Sequence, residues 1–306
     1  MKPKTLITVL GPTAIGKTAL AIELARHFNT QIISSDSRQF YKEMYIGTAV
    51  PSLSELEAVQ HHFIQHISIH DPYSVGDFEI EAINTLEQLF NFNDIVVMAG
   101  GSGLYNRAVT EGLDDFPKVD SEIRTALNLQ LEEEGIEVLQ RQLQTLDPVS
   151  YSSMDLQNTR RLIRALEICI GTGKPFSSFL NHNPQQRSFR TLKIGLTAER
   201  SVIYDRINKR VDIMMENGLL EEAKSLYPYR HLNALQTVGY KELFEFFEGN
   251  VSLEFAVSEI KKNTRRFAKR QLTWLNKEED IHWFDFKTPH RIRTDKVIEI
   301  LNDDSQ

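Results

Sequence analysis

The segment Gly11-Pro12-Thr13-Ala14-Ile15-Gly16-Lys17-Thr18 limits what this chain can fold into more than any other. It follows an apolar run, Thr5 to Leu10, and leads into a stretch from Thr18 to about Phe28 in which Ala19, Ile22 and Ala25 recur at helical spacing. Gly, four residues, Gly, Lys and then Ser or Thr, set between a strand and a helix, is the phosphate-binding loop pattern. The glycines let successive backbone N–H groups curl around an anion at the positive end of the helix dipole. Lys17 adds a mobile cation, and Thr18 a hydroxyl placed to coordinate Mg²⁺. A diphosphate or triphosphate site follows.

The rest of the chain supplies the sheet such a loop needs. Gln31 to Ser34, Phe63 to Ile69, Asp94 to Ala99, Leu192 to Leu196 and Ile281 to Phe286 read as strands, with an amphipathic helix from Phe78 to about Phe92. Alternating strands and helices predict an α/β fold, a phosphate-loop core whose mostly parallel sheet is covered on both faces. From Val119 to about Gly173 the pattern is helical only, broken at Glu134-Gly135 and Asp147-Pro148, and a polar stretch at 181–188 follows. The expected organisation is a core of residues 1–117 and 188–306, ending in helices, with a helical insertion at 118–187.

Composition excludes several classes. With 41% hydrophobic and 25% charged residues among 306, the chain has globular proportions. No apolar stretch approaches the ~20 residues that span a bilayer. Gly11-Pro12 interrupts the first apolar run before a signal-peptide core could form. Cys169 is the only cysteine, which excludes a disulfide framework and a cysteine zinc cluster and fits a reducing compartment, with the cytoplasm as the expectation. Gln60-His61-His62-Phe63 and His66 lack the flanking ligand pattern of a metal site and read as structural.

The net charge of −7 argues against a nucleic-acid packaging protein, yet Val257 to Leu275 holds six basic residues and one acid. On a helical wheel Ile260, Phe267, Ala268, Trp274 and Leu275 share one arc. Lys261, Lys262, Arg265, Arg266, Lys269 and Arg270 fall opposite, spaced to meet successive phosphates or simply to face water. Arg160, Arg161 and Arg164 form a second cluster. Asp36 follows the second strand, at the edge where parallel sheets bind ligands, and its type suits a cap, a metal ligand or a base. After Ala99 comes Gly100-Gly101-Ser102-Gly103, where a nucleotide hydrolase more often carries a magnesium-supporting Asp. Two classes therefore compete: a small-molecule kinase or ATPase, and an enzyme using the loop for a diphosphate while holding a nucleic acid elsewhere.

Taken in order, the motifs resemble the tRNA dimethylallyltransferases, also called tRNA isopentenyltransferases, over almost the whole chain. The resemblance is carried by the phosphate loop, Asp36-Ser37-Arg38-Gln39-Phe40-Tyr41, Ile46-Gly47-Thr48-Ala49, Tyr73-Ser74-Val75-Gly76-Asp77-Phe78 and Gly100-Gly101-Ser102-Gly103-Leu104-Tyr105. It continues through Arg161-Leu162-Ile163-Arg164-Ala165-Leu166-Glu167, Thr237-Val238-Gly239-Tyr240-Lys241-Glu242 and Lys269-Arg270-Gln271-Leu272-Thr273-Trp274. Val50 stands where Lys is common, Ser102 where Thr is common, and Gln60 and Gln65 where Pro and Asp are frequent. The single cysteine fits a bacterial-type member.

The resemblance implies transfer of a dimethylallyl group from dimethylallyl diphosphate to N6 of adenosine 37, in tRNAs reading codons that begin with U. It implies Mg²⁺ as cofactor, the tRNA anticodon stem-loop as partner, no membrane, and a monomer. Catalytic roles pass to Asp36, Lys17, Thr18, Ser102 and Arg210, with the diphosphate held by Gly11, Pro12, Thr13, Ala14, Ile15, Gly16, Lys17 and Thr18 and the metal by Thr18. Asp36, Ser37, Arg38, Gln39 and Ser102 would receive the base. Gln236, Thr237, Val238, Gly239, Tyr240, Lys241, Lys269, Arg270, Gln271, Thr273 and Trp274 would grip the stem-loop. From the insertion, Arg124, Arg160, Arg161, Leu162, Ile163 and Arg164 would contact it too.

Overall fold

A computed structural model describes residues 3–180 and 185–303. Positions 181–184 of the polar stretch lie outside the described residues. The chain forms two compact units, Met1–Glu111 with Arg187–Gln306, and Gly112–Gln186.

The first unit is built on a six-stranded parallel sheet. In chain order the strands are β1 (Thr5–Leu10), β2 (Ile32–Ser34), β3 (His61–His62), β4 (Ile95–Ala99), β5 (Arg190–Thr197) and β6 (Ile281–Asp285). In space the order is β3-β2-β4-β1-β5-β6, with Thr5 of β1 opposite Ile95 and Arg190. Every residue of β1 is buried, the signature of a strand covered on both faces. Successive side chains alternate between those faces. Ile7 and Val9 enter a core with Leu20, Leu24, Ile203 and Ile207, while Leu6 enters another with Phe40, Phe78, Leu86 and Met98.

The covering helices are α1 (Lys17–His27), α2 (Leu53–Ala58), α3 (Val75–Phe90) and α4 (Gly103–Thr110). The second unit holds α5 (Ser121–Glu134), α6 (Ile136–Leu146), α7 (Pro148–Ser153) and α8 (Thr159–Thr172). The chain returns to the first unit for α9 (Arg200–Glu216), α10 (Leu219–Leu226), α11 (Tyr240–Phe247), α12 (Leu253–Leu275) and α13 (His290–Asp303). Among the described residues no helix is long and apolar enough to cross a membrane.

The helical unit breaks where its sequence says it should. Gly135 takes φ 85° between α5 and α6, a conformation that costs a side-chain-bearing residue free energy. Asp147 caps α7 ahead of Pro148 by accepting the Ser150 N–H at 3.0 Å. Its core gathers Leu127, Leu139, Leu143, Leu162 and Leu166.

Two expectations are corrected. Phe63 to Ile69 is not a strand: the paired residues are His61 and His62, and Phe63 and Gln65 adopt φ of 63° and 48°, which a pleated strand excludes. The wheel for α12 is also revised. Phe267 is 39% exposed, whereas Lys261 pairs with Asp212 and Arg265 donates to Asn208 at 2.7 Å, both on α9. The wheel treats one helix in isolation, and here the neighbouring helix takes part of the basic face. Lys262 is paired with Glu259, while Arg266, Lys269 and Arg270 retain exposed side chains.

Candidate active site

One cavity of about 1270 Å³ opens in the first unit, larger than a single small-ligand pocket requires. Its lining includes Thr13, Gly16, Lys17 and Thr18 from the phosphate loop, Asp36 to Gln39 from the turn after β2, and Gly100 to Tyr105 from the turn after β4. Arg206, Lys209 and Arg210 enter from α9, Gln236 to Gly239 from the turn before α11, Lys241 from its first turn, and Arg270, Gln271 and Trp274 from α12.

The phosphate loop has the shape its glycines permit. Gly11, at φ 142°, has its α-carbon so near β5 that an added Cβ would meet the Leu196 carbonyl oxygen at 2.6 Å. Gly16 precedes α1 in the left-handed region, and no side chain caps that helix, which leaves its first N–H groups for a ligand. Lys17 folds back, its Nζ donating to the carbonyls of Gly11 at 3.1 Å and Pro12 at 3.0 Å. Burial pushes its pKa down to about 8; Asp36 opposes the shift and Arg210 adds to it. Burial also lowers the Arg210 pKa, against the attraction of Asp36.

Asp36 opens a tight turn. Its Oδ1 accepts the Arg38 N–H at 3.2 Å, so the capping role open to it is taken by one carboxylate oxygen. Gly100 is glycine because a Cβ would lie 2.2 Å from the Ser35 hydroxyl and 2.7 Å from the Asp36 nitrogen. The space freed there is filled by backbone, which locks the Asp36 turn onto the end of β4. Ser102 completes the junction: its hydroxyl accepts the Ser37 N–H at 3.2 Å and shares a 3.1 Å hydrogen bond with the Ser37 hydroxyl. Arg38 donates to the Ala234 carbonyl at 3.2 Å, and the Gln39 amide to the Ala49 carbonyl at 2.9 Å.

The remaining expected site residues divide by burial. Lys241, Lys269, Arg270 and Thr273 are exposed, Trp274 stands edge-close to Gly103, and Gln236 donates to the Arg230 carbonyl at 2.6 Å. Tyr240 and Gln271 are buried and make internal hydrogen bonds. In the helical unit the Leu162 and Ile163 side chains lie in the core. Arg124 and Arg164 converge on Glu167 at 2.7 Å and 2.8 Å, and Arg160 and Arg161 stay exposed. The sequence reading missed Arg206, whose Nε donates to the Ala14 carbonyl at 2.7 Å. Its position one turn before Arg210 was the available signal. His66 sits among Phe40, Phe63 and Tyr73.

The chain is similar to known proteins along nearly its whole length. Residues 39–278 match the IPP transferase family. The chain is 66% identical over 281 residues to the tRNA dimethylallyltransferase of Christiangramia forsetii, covering 92% of this chain and 93% of that one. It is 56% identical over 303 residues to the Flavobacterium psychrophilum enzyme of the same name, covering 97% of each. The crystal structure of the full-length tRNA isopentenylpyrophosphate transferase from Bacillus halodurans is similar at 36% identity and a TM-score of 0.72, over 98% of this chain and 97% of that one. A eukaryotic dimethylallyltransferase acting on tRNA is similar at 30% identity and a TM-score of 0.80, over 93% of this chain and 74% of the other. With its phosphate loop, its Asp36 turn and near full-length identity to these relatives, the chain belongs to the tRNA dimethylallyltransferase family.

Proposed function

We propose that the protein transfers a dimethylallyl group from dimethylallyl diphosphate to N6 of adenosine 37 in tRNAs reading codons that begin with U. The observation that carries this is the sharing of one cavity by an uncapped phosphate loop and the Asp36 carboxylate, with Lys17 and Arg210 in its wall. The N6 lone pair attacks the allylic carbon, and the carbon–oxygen bond breaks with its electron pair leaving on diphosphate. Asp36 accepts the N6 proton, while Lys17, Arg210 and the loop N–H groups receive the charge growing on the departing oxygens. Ser102, through Ser37, holds the turn that aims the carboxylate.

The donor set suits Mg²⁺. Among the described residues no cluster of three His, Cys, Asp or Glu forms a metal cage, and Thr18 offers one hydroxyl beside the loop. Magnesium ordinarily takes few protein ligands and completes its shell with phosphate oxygens and water. When bound it neutralises diphosphate charge.

An adenine stacked within an anticodon loop cannot reach the loop site, so the base is flipped into the cavity. Asp36, Ser37, Arg38, Gln39 and Ser102 form the acceptor end. Gln236 to Gly239, Lys241, Lys269, Arg270, Thr273 and Trp274 hold the stem-loop, with Arg124, Arg160, Arg161 and Arg164 contributing from the helical unit. A monomeric, cytoplasmic enzyme fits this reading and the buried lone thiol of Cys169.

The test is incubation with Mg²⁺, labelled dimethylallyl diphosphate and an unmodified anticodon stem-loop with three adenosines at positions 36 to 38. Label on the middle adenosine is the expected result. ATP turnover without transfer would return the protein to the kinase class.

A further inference from the structure

Gln271 is 3% exposed, on a helix whose other buried residues are Ala256, Ile260, Ala268 and Leu275. An amide in such company is costly unless both its ends are matched. Both are. Its Oε1 accepts the Thr13 N–H at 2.8 Å, and its Nε2 donates to the Gly101 carbonyl at 2.8 Å. Thr13 belongs to the phosphate loop. Gly101 belongs to the turn whose neighbours, Gly100 and Ser102, hold the backbone of Ser35 to Ser37. A Cβ on Gly101 would lie 2.5 Å from the Gln271 amide nitrogen and 3.7 Å from Asp36 Oδ2. One side chain therefore ties the loop that receives the anion to the turn that carries the carboxylate.

We propose that Gln271 is a positioning residue that sets the spacing between the phosphate loop and Asp36, and does not itself touch RNA. The inference rests on the transfer reaction proposed above, in which donor carbon and acceptor nitrogen are held by those two loops. Misplacement by about 1 Å is enough to lower such a rate by about 100-fold. The site demands an acceptor and a donor on one side chain of this length. Asn is one methylene short, and an ionised Glu accepts from Thr13 but repels the Gly101 carbonyl. A protonated Glu regains the donor.

The test uses the full-length protein with Gln271→Ala, Gln271→Met and Gln271→Glu. Met fills the volume without either hydrogen bond and covers the case in which the Ala variant does not fold. Initial rates give kcat and KM, calorimetry gives the affinity for inorganic diphosphate, and filter binding gives the affinity for the stem-loop. Expected is a fall in kcat of about 30-fold or more in the Ala and Met variants, with both affinities held within about threefold. Gln271→Glu is equally slow in alkali, and its rate relative to wild type rises as pH falls and the carboxyl regains its proton. Unchanged kcat, a kcat ratio for Gln271→Glu that is flat with pH, or a loss confined to stem-loop affinity would each overturn the proposal. Absence of transfer by the wild-type protein would instead sink the reaction on which it rests.

Discussion

The Tyr240 hydroxyl donates a 2.7 Å hydrogen bond to the carboxylate of Glu222, which also accepts the backbone N–H groups of Tyr45 at 3.1 Å, Ile46 at 2.7 Å and Gly47 at 2.9 Å. The Tyr240 ring is fully buried and lies where a Cβ on Gly47 would stand, 2.6 Å away. Burial and the adjacent carboxylate push the phenol pKa far up, so the hydroxyl remains a donor at every working pH. Gly47, Thr48 and Ala49 line the cavity, and the Thr48 and Ala49 carbonyls receive the Gln39 amide at 3.4 Å and 2.9 Å. A chain of contacts thus runs from α10 to the cavity wall at Gln39.

Tyr240→Phe removes one of four donors to that carboxylate and leaves the packing intact. A loss of about 1.5–3 kcal/mol is expected, the range for a hydrogen bond to a charged group. Gly47→Ala is expected to destabilise further, because its methyl must displace a ring rather than a flexible side-chain end. Urea denaturation of the two variants beside wild type checks the order, and equal stability of all three would show that the Glu222 cluster does not hold the loop.

Asp36→Asn keeps the size and the Arg38 N–H acceptor of the native side chain but cannot take a proton. The transfer rate is expected to fall by about 100-fold or more, the usual contribution of a positioned base. Diphosphate affinity should hold or tighten, because a negative charge leaves the neighbourhood of the anion. Single-turnover rates together with calorimetry separate these effects. A variant transferring at the wild-type rate would leave Asp36 only its capping bond.

What the sequence made legible follows from where each signal resides. The phosphate loop, β1 and the breaks at Gly135 and Asp147 are local, written in glycine and proline chemistry and in continuous apolar runs. Asp36 could be placed from motif order, whereas Arg210 came only with the family resemblance. Gln271 and Tyr240 were legible as part of the site but not in their roles, because each role depends on partners far along the chain: Thr13 and Gly101 for one, Glu222 and Gly47 for the other. The strand expected over Phe63 to Ile69 failed for a related reason. Phe63 and Ile67 pack in a cluster with Phe40, Tyr73 and Phe78, and Ile69 in another with Tyr41 and Met44, rather than on a sheet face.

The Lys17 ammonium, with its pKa brought down to about 8 by burial, gives binding and folding opposite responses to alkali. An anion needs the charged form, so diphosphate affinity should fall as pH rises through 8, and complex formation above that pH should take up a proton. Folding responds the other way. Between about 8 and the ordinary value near 10.5 the unfolded chain holds the Lys17 proton that the folded chain has lost, so this residue's contribution to stability rises with pH. Calorimetry in buffers of different ionisation enthalpy reads the proton count. Lys17→Met should abolish both effects, and a pH-independent affinity in wild type would place the lysine outside the anion site.

Packing and recognition can be separated within α8. Leu162→Ala opens a cavity in the core of the helical unit and is expected to cost about 2–5 kcal/mol, with hydrogen exchange rising across α5, α6 and α8. Arg161→Ala touches an exposed side chain and should leave that protection unchanged while weakening stem-loop affinity. If this variant altered exchange but not affinity, Arg161 would be structural.

Lys269 and Arg270 are the exposed end of the basic face of α12, in contrast to Lys261, Lys262 and Arg265, whose charges already meet Asp212, Glu259 and Asn208. A cation that is paired within the protein releases few counterions when RNA arrives, whereas a solvated one opposite a phosphate releases about 0.7 each on a single strand. Removing both Lys269 and Arg270 should therefore lower the slope of log affinity against log salt by about 1 to 1.5. Removing Lys261 should change the slope little and lower stability slightly, since its ion pair is partly exposed. Filter binding across a salt series measures all three proteins under the same conditions. Equal slopes for wild type and the Lys269–Arg270 double variant would mean that the stem-loop does not follow this face, and a large change in the Lys261 variant would mean that its pairing with Asp212 opens when RNA binds.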